Sequence, residues 1–189
     1  ISLGEQCNLK CAYCHFHNED NGKLSGIPQE FTTDELIKIA KNLNDYAIVN
    51  NLTTFKIGIV GSGEPILQYR KIVGLIEYVK NNNLDRLAFY TITNGTILTG
   101  KMLDFFLEHK DSIKMCFSLD GYEELHNLGR EKYNVVFSGV KKYESKFGHK
   151  PPINCTVHSQ TILNKAKLRT YLEDNNFKDV TFSRLFDSH

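Results

Sequence analysis

The sequence has no excess of charge of either sign and no long apolar run. Its 189 residues include 23 Lys and Arg against 22 Asp and Glu, a net charge of +1. This balance provides no basic footprint for nucleic acid or anionic membranes, so we expect neither as a partner. No apolar stretch approaches the roughly 20 residues that span a bilayer. A hydrophobic content of 41%, without repeats or low-complexity segments, predicts one globular domain with a buried core.

Residues 1–189 begin neither with methionine nor with a signal-peptide pattern, and they lack the cysteine pattern of a secreted protein. The sequence opens on "ISLGEQC", which is typical of the end of a strand, so we expect residues 1–189 to be a core domain cut from a longer polypeptide. Its five cysteines are an odd number, and Cys7, Cys11 and Cys14 lie within eight residues. A disulfide framework would not show this clustering, so we expect a metal site in a reducing, cytoplasmic location.

Short β-rich segments alternate with amphipathic helical patterns along the chain. Strands are predicted to end near Leu3 and to span 55–60, 87–93, 113–119, 153–158 and 179–186. A first helix is predicted to begin at the Thr32/Glu35 capping box, and further helices are predicted to span 69–81, 100–109, 133–147 and 164–175. Strict alternation indicates parallel strands joined by right-handed crossovers. The sequence therefore predicts an α/β fold, a partial (β/α)6 TIM-like barrel with outer helices.

Polar, glycine-rich turns follow the predicted strands. The cysteine cluster follows the first strand, "GSGEPIL" (61–67) the second, "TNGTIL" (93–98) the third and "SLDG" (118–121) the fourth. Ligands of α/β folds bind at the carboxyl ends of parallel strands. We therefore expect these turns to form one functional rim.

Three kinds of metal group fit the cysteine cluster. Cys11, Cys14 and His15 form CxxCH, the pattern of covalent haem attachment, which would leave Cys7 without a role. Zinc could be held by the cysteines with His15 or His17, although structural zinc sites favour two separated ligand pairs. An iron–sulfur cluster is held by thiolates, and its preference for soft ligands suits cysteines without carboxylates. With three thiolates, one iron would remain open to another ligand.

The spacing CxxxCxxC, with Tyr13 before the last cysteine, resembles the signature of radical S-adenosylmethionine (SAM) enzymes. "GSGEP" is similar to the GGEP segment of that family, with Ser62 in place of its first glycine. "TNGTIL" and "SLDGYEELHNLGR" resemble one branch, the anaerobic sulfatase-maturating enzymes and the peptide-modifying enzymes that carry a C-terminal SPASM domain. The resemblance runs from Ser2 to about Phe186.

The resemblance implies a site built on a 4Fe–4S cluster and SAM. Cys7, Cys11 and Cys14 would ligate the cluster, and SAM would chelate the open iron. Gly63 and Ser62 would allow close backbone approach to the methionyl ammonium, with Gly61 taking any positive φ that Ser62 tolerates poorly. Residues expected to contact SAM are Tyr13, Ser62, Gly63, Glu64, Asn94, Ser118, Asp120 and Arg130. For Asn94, a turn role in Asn-Gly is an open alternative, and for Arg130 the open alternative is a surface salt bridge.

The resemblance also implies a reaction. An electron donor such as flavodoxin or ferredoxin would reduce the cluster, SAM would be cleaved to a 5′-deoxyadenosyl radical, and that radical would abstract hydrogen from a peptide or protein side chain. Alternatives are a small-molecule substrate, or a non-catalytic Cys/His metal module. Cys116 and Cys155 fall inside strand patterns and are predicted to be core residues. An auxiliary cysteine-rich domain is expected beyond residue 189, the alternative being a member that works without one. The loop 15–31 is expected to cover the cluster or grip substrate.

Overall fold

The computed structural model describes residues 1–14, 16 and 30–185. His15, His17 and nearly all of the predicted loop over 15–31 lie outside these residues. In the described part of the chain, no helix is long and apolar enough to cross a membrane.

Helices and strands alternate along the described chain. The strands are β1 (Phe55–Ile59), β2 (Leu87–Thr93), β3 (Ile113–Ser118), β4 (Ile153–Val157) and β5 (Val180–Arg184). The helices are α1 (Thr33–Val49), α2 (Tyr69–Asn81), α3 (Gly100–Glu108), α4 (Glu123–Asn127), α5 (Tyr133–Phe147), α6 (Ser159–Leu163) and α7 (Lys165–Asp174), with a 3-10 helix at Pro65–Gln68.

The five strands form one sheet in sequential order from β1 to β5. The pairs β1–β2, β3–β4 and β4–β5 are parallel, with Ile57 opposite Phe89 and Cys155 opposite Phe182. Sequential order with a helix between successive strands is the βα repeat that the alternation predicts. The predicted α/β class with parallel strands is confirmed.

The strand predicted to end near Leu3 is not among the strands of the described residues. Ile1 lies beside β1, where its terminal ammonium donates to the Gly58 carbonyl (2.7 Å) and its carbonyl accepts from Val60 N (3.1 Å). These two bonds pair a single residue with β1, whereas a strand needs a run of paired residues. The predicted count of six strands is therefore corrected to five in the part of the chain that the structure describes.

The described chain divides into two compact units. The first comprises residues 1–6, 30–91 and 99–115, and the second comprises 7–14, 16, 92–98 and 116–185. In the first unit, α1 begins at a capping box in which Thr32 Oγ1 accepts from Glu35 N and Glu35 Oε2 accepts from Thr32 N. Its core includes Leu36, Ala40, Ile57, Ile59, Ile72, Leu75, Ile76, Phe106, Ile113 and Met115.

The second unit has its own core around the end of β3 and strand β4. Fully buried side chains there include Phe117, Leu119, Leu125, Val136, Val140, Ile153 and Cys155. Helix α5 packs so closely on the "TNG" turn that a Cβ on Gly139 would lie 2.2 Å from the Gly95 carbonyl oxygen. The core position predicted for Cys155 is confirmed, whereas Cys116 is half-buried.

Candidate functional site

The cysteine loop belongs to the second unit. Cys7, Cys11 and Cys14 are half-buried, and none of them is in a disulfide. A turn within the loop is closed by Cys14 N, which donates to the Cys11 carbonyl (2.9 Å), and Ala12 N donates to the Gly129 carbonyl (2.7 Å). The loop therefore has a defined backbone that keeps its three thiols on one short segment.

The three thiols lie close enough to influence one another. Burial raises the pKa of Cys11, Arg130 opposes the rise, and the Cys14 and Cys7 thiols add to it. Among the described residues, no three His, Cys, Asp or Glu side chains converge as they would on a single metal ion. A 4Fe–4S cluster holds its ligands farther apart than a single ion does, because each thiolate binds a different iron. A positively charged partner would offset the mutual repulsion of the thiolates, so the donor set fits that group.

Tyr13, between Cys11 and Cys14, joins the loop to a buried polar cluster. Its hydroxyl donates to Asp120 Oδ2, which also accepts from Arg130 Nε (3.0 Å). The Arg130 guanidinium lies over the Tyr13 ring, with 5.3 Å between Cζ and the ring centroid. Burial raises the pKa of the Tyr13 hydroxyl, so it remains a donor. The structure thus brings together three residues that the sequence analysis singled out separately.

Two residues that the sequence analysis did not single out for the site complete this cluster. Thr156, at the carboxyl end of β4, donates its backbone N–H to Asp120 Oδ1 (2.8 Å) and accepts at Oγ1 from Arg130 Nη2 (3.2 Å). His126 accepts at Nδ1 from Asp120 N (3.2 Å), and its Nε2 lies 3.2 Å from the Glu131 carbonyl. No local pattern marks Thr156, which contacts Asp120 through its backbone N–H. The histidine in "EELHN", His126, is the one sequence feature that could have indicated a further member of the cluster.

His126 makes stability depend on pH. Burial lowers its pKa to about 4; Asp120 opposes this shift and Arg130 adds to it. Above pH 6.5 the imidazole is neutral in both the folded and the unfolded chain. Between pH 6.5 and 4 only the unfolded chain binds the proton, so the free energy of unfolding falls as the pH falls. His126→Asn keeps an acceptor for Asp120 N without this titration. From pH 7 to pH 4 we expect the wild type to lose about 3 kcal/mol more than the variant.

Urea unfolding of the metal-free protein at several pH values measures this difference. Other carboxyl groups titrate alike in both proteins, so the comparison isolates residue 126. Stability curves that stay parallel over this range would show that His126 is protonated in the folded state.

Two other predicted SAM contacts, Asn94 and Ser118, lie in the second unit at the carboxyl ends of β2 and β3. Asn94 is buried; its Oδ1 accepts from Thr96 N (3.0 Å), an Asx turn, and its Nδ2 donates to Asn8 Oδ1 (2.8 Å). Asn94 therefore has the turn role that was the open alternative. Its side chain also links the turn to Asn8, the residue after Cys7. Ser118 is buried at the carboxyl end of β3, opposite Asn154. Their contacts with SAM stay predictions.

The "GSGEP" segment belongs to the first unit. The positive φ falls on Gly61 (154°), as expected, while Ser62 Oγ lies 3.2 Å from Ser2 Oγ. Glu64 is buried, and its Oε1 accepts from Ile66 N (3.1 Å), which caps the 3-10 helix.

Gly63 packs against the residues that precede the cysteine loop. A Cβ at this position would lie 2.5 Å from both the Gly4 and Gln6 carbonyl oxygens, and Glu64 N donates to the latter (2.8 Å). The close backbone approach predicted here is thus made to the protein's own chain. Contact of Ser62, Gly63 or Glu64 with SAM remains a prediction.

Known proteins resemble this chain over nearly its full length. The cysteine-type anaerobic sulfatase-maturating enzyme of Clostridium perfringens (strain 13 / Type A) is 29% identical over 196 residues, which cover 96% of this chain and 49% of that enzyme. The solved structure of anSMEcpe with bound AdoMet and Cp18Cys peptide has a TM-score of 0.80 at 25% identity, covering 98% of this chain and 49% of that one. The chain thus spans about half the length of these relatives.

A more distant structure shows the same fold. Streptococcus suis SuiB bound to precursor peptide SuiA has a TM-score of 0.73 at 17% identity, covering 98% of this chain and 38% of that one. These likenesses confirm the predicted fold class, the partial TIM-like α/β barrel, and the resemblance to the sulfatase-maturating branch. Residues 1–157 match the radical SAM superfamily. The chain belongs to the radical SAM superfamily.

Proposed function

We propose that this chain is the core of a radical SAM enzyme that modifies a peptide or protein side chain. The observation that carries the proposal is the cysteine loop, which presents three half-buried thiols, with the Arg130 guanidinium near enough to Cys11 to oppose the rise that burial causes in the pKa of that thiol. Soft thiolates are the ligands of iron–sulfur clusters, and a guanidinium fork is suited to a carboxylate. The thiols therefore suit an iron–sulfur cluster, and the guanidinium suits the methionyl carboxylate of SAM.

Cys7, Cys11 and Cys14 would hold a 4Fe–4S cluster through three of its irons. When bound, the cluster supplies the electron that cleaves SAM to methionine and a 5′-deoxyadenosyl radical, which abstracts hydrogen from the substrate. The chain's own contribution is to orient the reactants and to exclude water.

We propose that Arg130 binds the carboxylate of SAM. A guanidinium carries five N–H donors. Arg130 uses Nε toward Asp120 and one Nη2 donor toward Thr156. Within the part of the chain that the structure describes, these two bonds leave three donors for an anionic ligand, and the pairing with Asp120 fixes their direction.

The names of the relatives support a peptide substrate. The curated relative is a sulfatase-maturating enzyme, and the two solved structures hold a Cp18Cys peptide and a precursor peptide. We further propose a flavodoxin or ferredoxin as electron donor, a reducing location such as the cytoplasm, and an auxiliary domain in the parent protein.

Anaerobic reconstitution with iron and sulfide tests the proposal. We expect a brown protein that converts SAM to 5′-deoxyadenosine with dithionite. Adding the correct peptide should raise that rate and change the peptide's mass. Zinc at one per chain without iron would instead identify a non-catalytic metal module. Turnover that rises only with a small molecule would overturn the peptide assignment.

Arg130→Lys should weaken SAM binding while leaving iron content unchanged. Lysine keeps the positive charge but loses the planar fork, so we expect the Kd for SAM to rise about 10-fold or more. Isothermal titration of the reconstituted, unreduced protein measures this change. Arg169→Lys is the matched control, since Arg169 pairs with Glu173 on an exposed helix face. Equal Kd values for the two variants would exclude Arg130 from the SAM site.

A further inference from the structure

Asp120 was expected to contact SAM, but its surroundings indicate another task. Its side chain is fully buried, and both carboxylate oxygens already accept protein donors. Oδ2 accepts from Tyr13 and Arg130, and Oδ1 accepts from Thr156 N. A carboxylate enclosed in this way is stabilised by the donors it already has.

The donors around Asp120 come from three different parts of the second unit. Tyr13 lies in the cysteine loop, Arg130 follows helix α4, and Thr156 lies at the end of β4. The backbone N–H of Asp120 is held in turn by His126 Nδ1 (3.2 Å). One buried carboxylate therefore joins the loop to the framework formed by the ends of β3 and β4.

The Tyr13 ring is held from further directions. Gly129 packs against it so closely that a Cβ there would lie 2.3 Å from Tyr13 Cε1. The Arg130 guanidinium lies over the ring, and Ala12 N donates to the Gly129 carbonyl. Because Tyr13 lies between Cys11 and Cys14, a fixed tyrosine fixes the loop between two of the thiols.

We propose that Asp120 is a positioning residue: it anchors the cysteine loop through Tyr13, aligns the Arg130 guanidinium, and makes no contact with SAM. The role of the loop as cluster ligand rests on the proposed function, but the anchoring itself does not. Pre-orienting the loop before the cluster assembles reduces the freedom lost when the cluster binds.

Limited trypsin digestion of the metal-free, reduced full chain tests the anchor. Lys10 is exposed and lies within the loop, so cleavage after it reports local opening. Tyr13→Phe removes the hydroxyl that reaches Asp120 and keeps the ring. We expect its cleavage rate at Lys10, measured by mass spectrometry, to rise about 10-fold, since the lost hydrogen bond is to a charged group. Asp120→Asn should raise it at least as much.

Tyr133→Phe is the matched control, because it removes a hydroxyl whose partner, at 2.9 Å, is Tyr171 Oη in the same unit rather than Asp120, and it keeps the ring. Its Lys10 cleavage should stay within about twofold of wild type. Unchanged cleavage in both Tyr13→Phe and Asp120→Asn, with wild-type circular dichroism, would overturn the proposal. If Asp120→Asn does not fold, Tyr13→Phe decides alone.

A spectroscopic measurement separates positioning from a merely structural role. In the reconstituted, reduced protein without SAM, Tyr13→Phe and Asp120→Asn should both shift the electron paramagnetic resonance g values, because they release the loop that holds the cluster. Tyr133→Phe should not. Wild-type spectra in the two site variants, with weakened SAM binding in Asp120→Asn alone, would make Asp120 a direct SAM ligand. The digestion uses neither metal nor SAM, so it remains decisive if the proposed function fails.

Discussion

Replacing Cys11 with alanine is expected to abolish both iron–sulfur binding and the production of 5′-deoxyadenosine. Cys11 is the central thiol of the loop, and its carbonyl closes the turn to Cys14. Without it, two thiolates remain for a cluster that already has one fewer protein ligand than the usual four. Changes in residues that only support metal ligands cost about 10- to 100-fold, so loss of a ligand should reduce turnover by at least about 1,000-fold.

Iron and labile sulfide per chain, with chromatography of 5′-deoxyadenosine, measure both losses. Cys116→Ala is the matched control, since it makes the same chemical change inside β3. Burial raises the pKa of Cys116 to about 11, so at neutral pH it is a protonated thiol and a poor metal ligand. The control should keep its iron and its activity. A Cys11→Ala variant that retains iron, beside a Cys116→Ala variant that loses it, would place the cluster elsewhere.

The sequence was sufficient where the determining interactions are local. The spans predicted for α2, β2 and α5 agree with the observed Tyr69–Asn81, Leu87–Thr93 and Tyr133–Phe147. Periodic apolar residues determine these elements, and Gly148 ends α5 in the left-handed conformation (φ 76°) that glycine favours. Helices α4 and α6, of five residues each, were not predicted because fewer than two turns give no periodic pattern.

The sequence singled out some members of the buried cluster, but neither Thr156 and His126 nor the arrangement of the cluster. The cysteines, Tyr13, Asp120 and Arg130 all stand in recognisable motifs. Their contacts depend on tertiary packing, since Asp120 meets Tyr13 across 107 positions and Thr156 across 36. The task inferred for Asp120 follows from burial and from the direction of its donors. Neither the burial of a side chain nor the direction of its donors can be predicted from a single sequence.

Gly63→Ala should destabilise the first unit strongly. The added methyl group would lie 2.5 Å from two backbone oxygens, those of Gly4 and Gln6, and 3.0 Å from Gln6 N. Backbone atoms cannot swing aside as the end of a long side chain can, so the segment before the cysteine loop would have to move. Overpacking costs about 1–3 kcal/mol, and we expect the upper end of this range. For a chain of this length, 3 kcal/mol lowers Tm by about 6–12 °C.

Gly100→Ala provides the matched control, because the same methyl group there meets no atom within 4 Å. Gly100 is the first residue of α3, where alanine should be neutral or stabilise by up to about 1 kcal/mol. Thermal unfolding of the metal-free proteins separates the two outcomes without involving SAM. A Gly63→Ala variant as stable as wild type would show that the glycine is not needed for packing. The need for glycine would then lie with a ligand, and titration of the reconstituted variant with SAM would show weakened binding. If Tm falls as expected, the main role of Gly63 is to allow close packing against Gly4 and Gln6, in the segment that precedes Cys7.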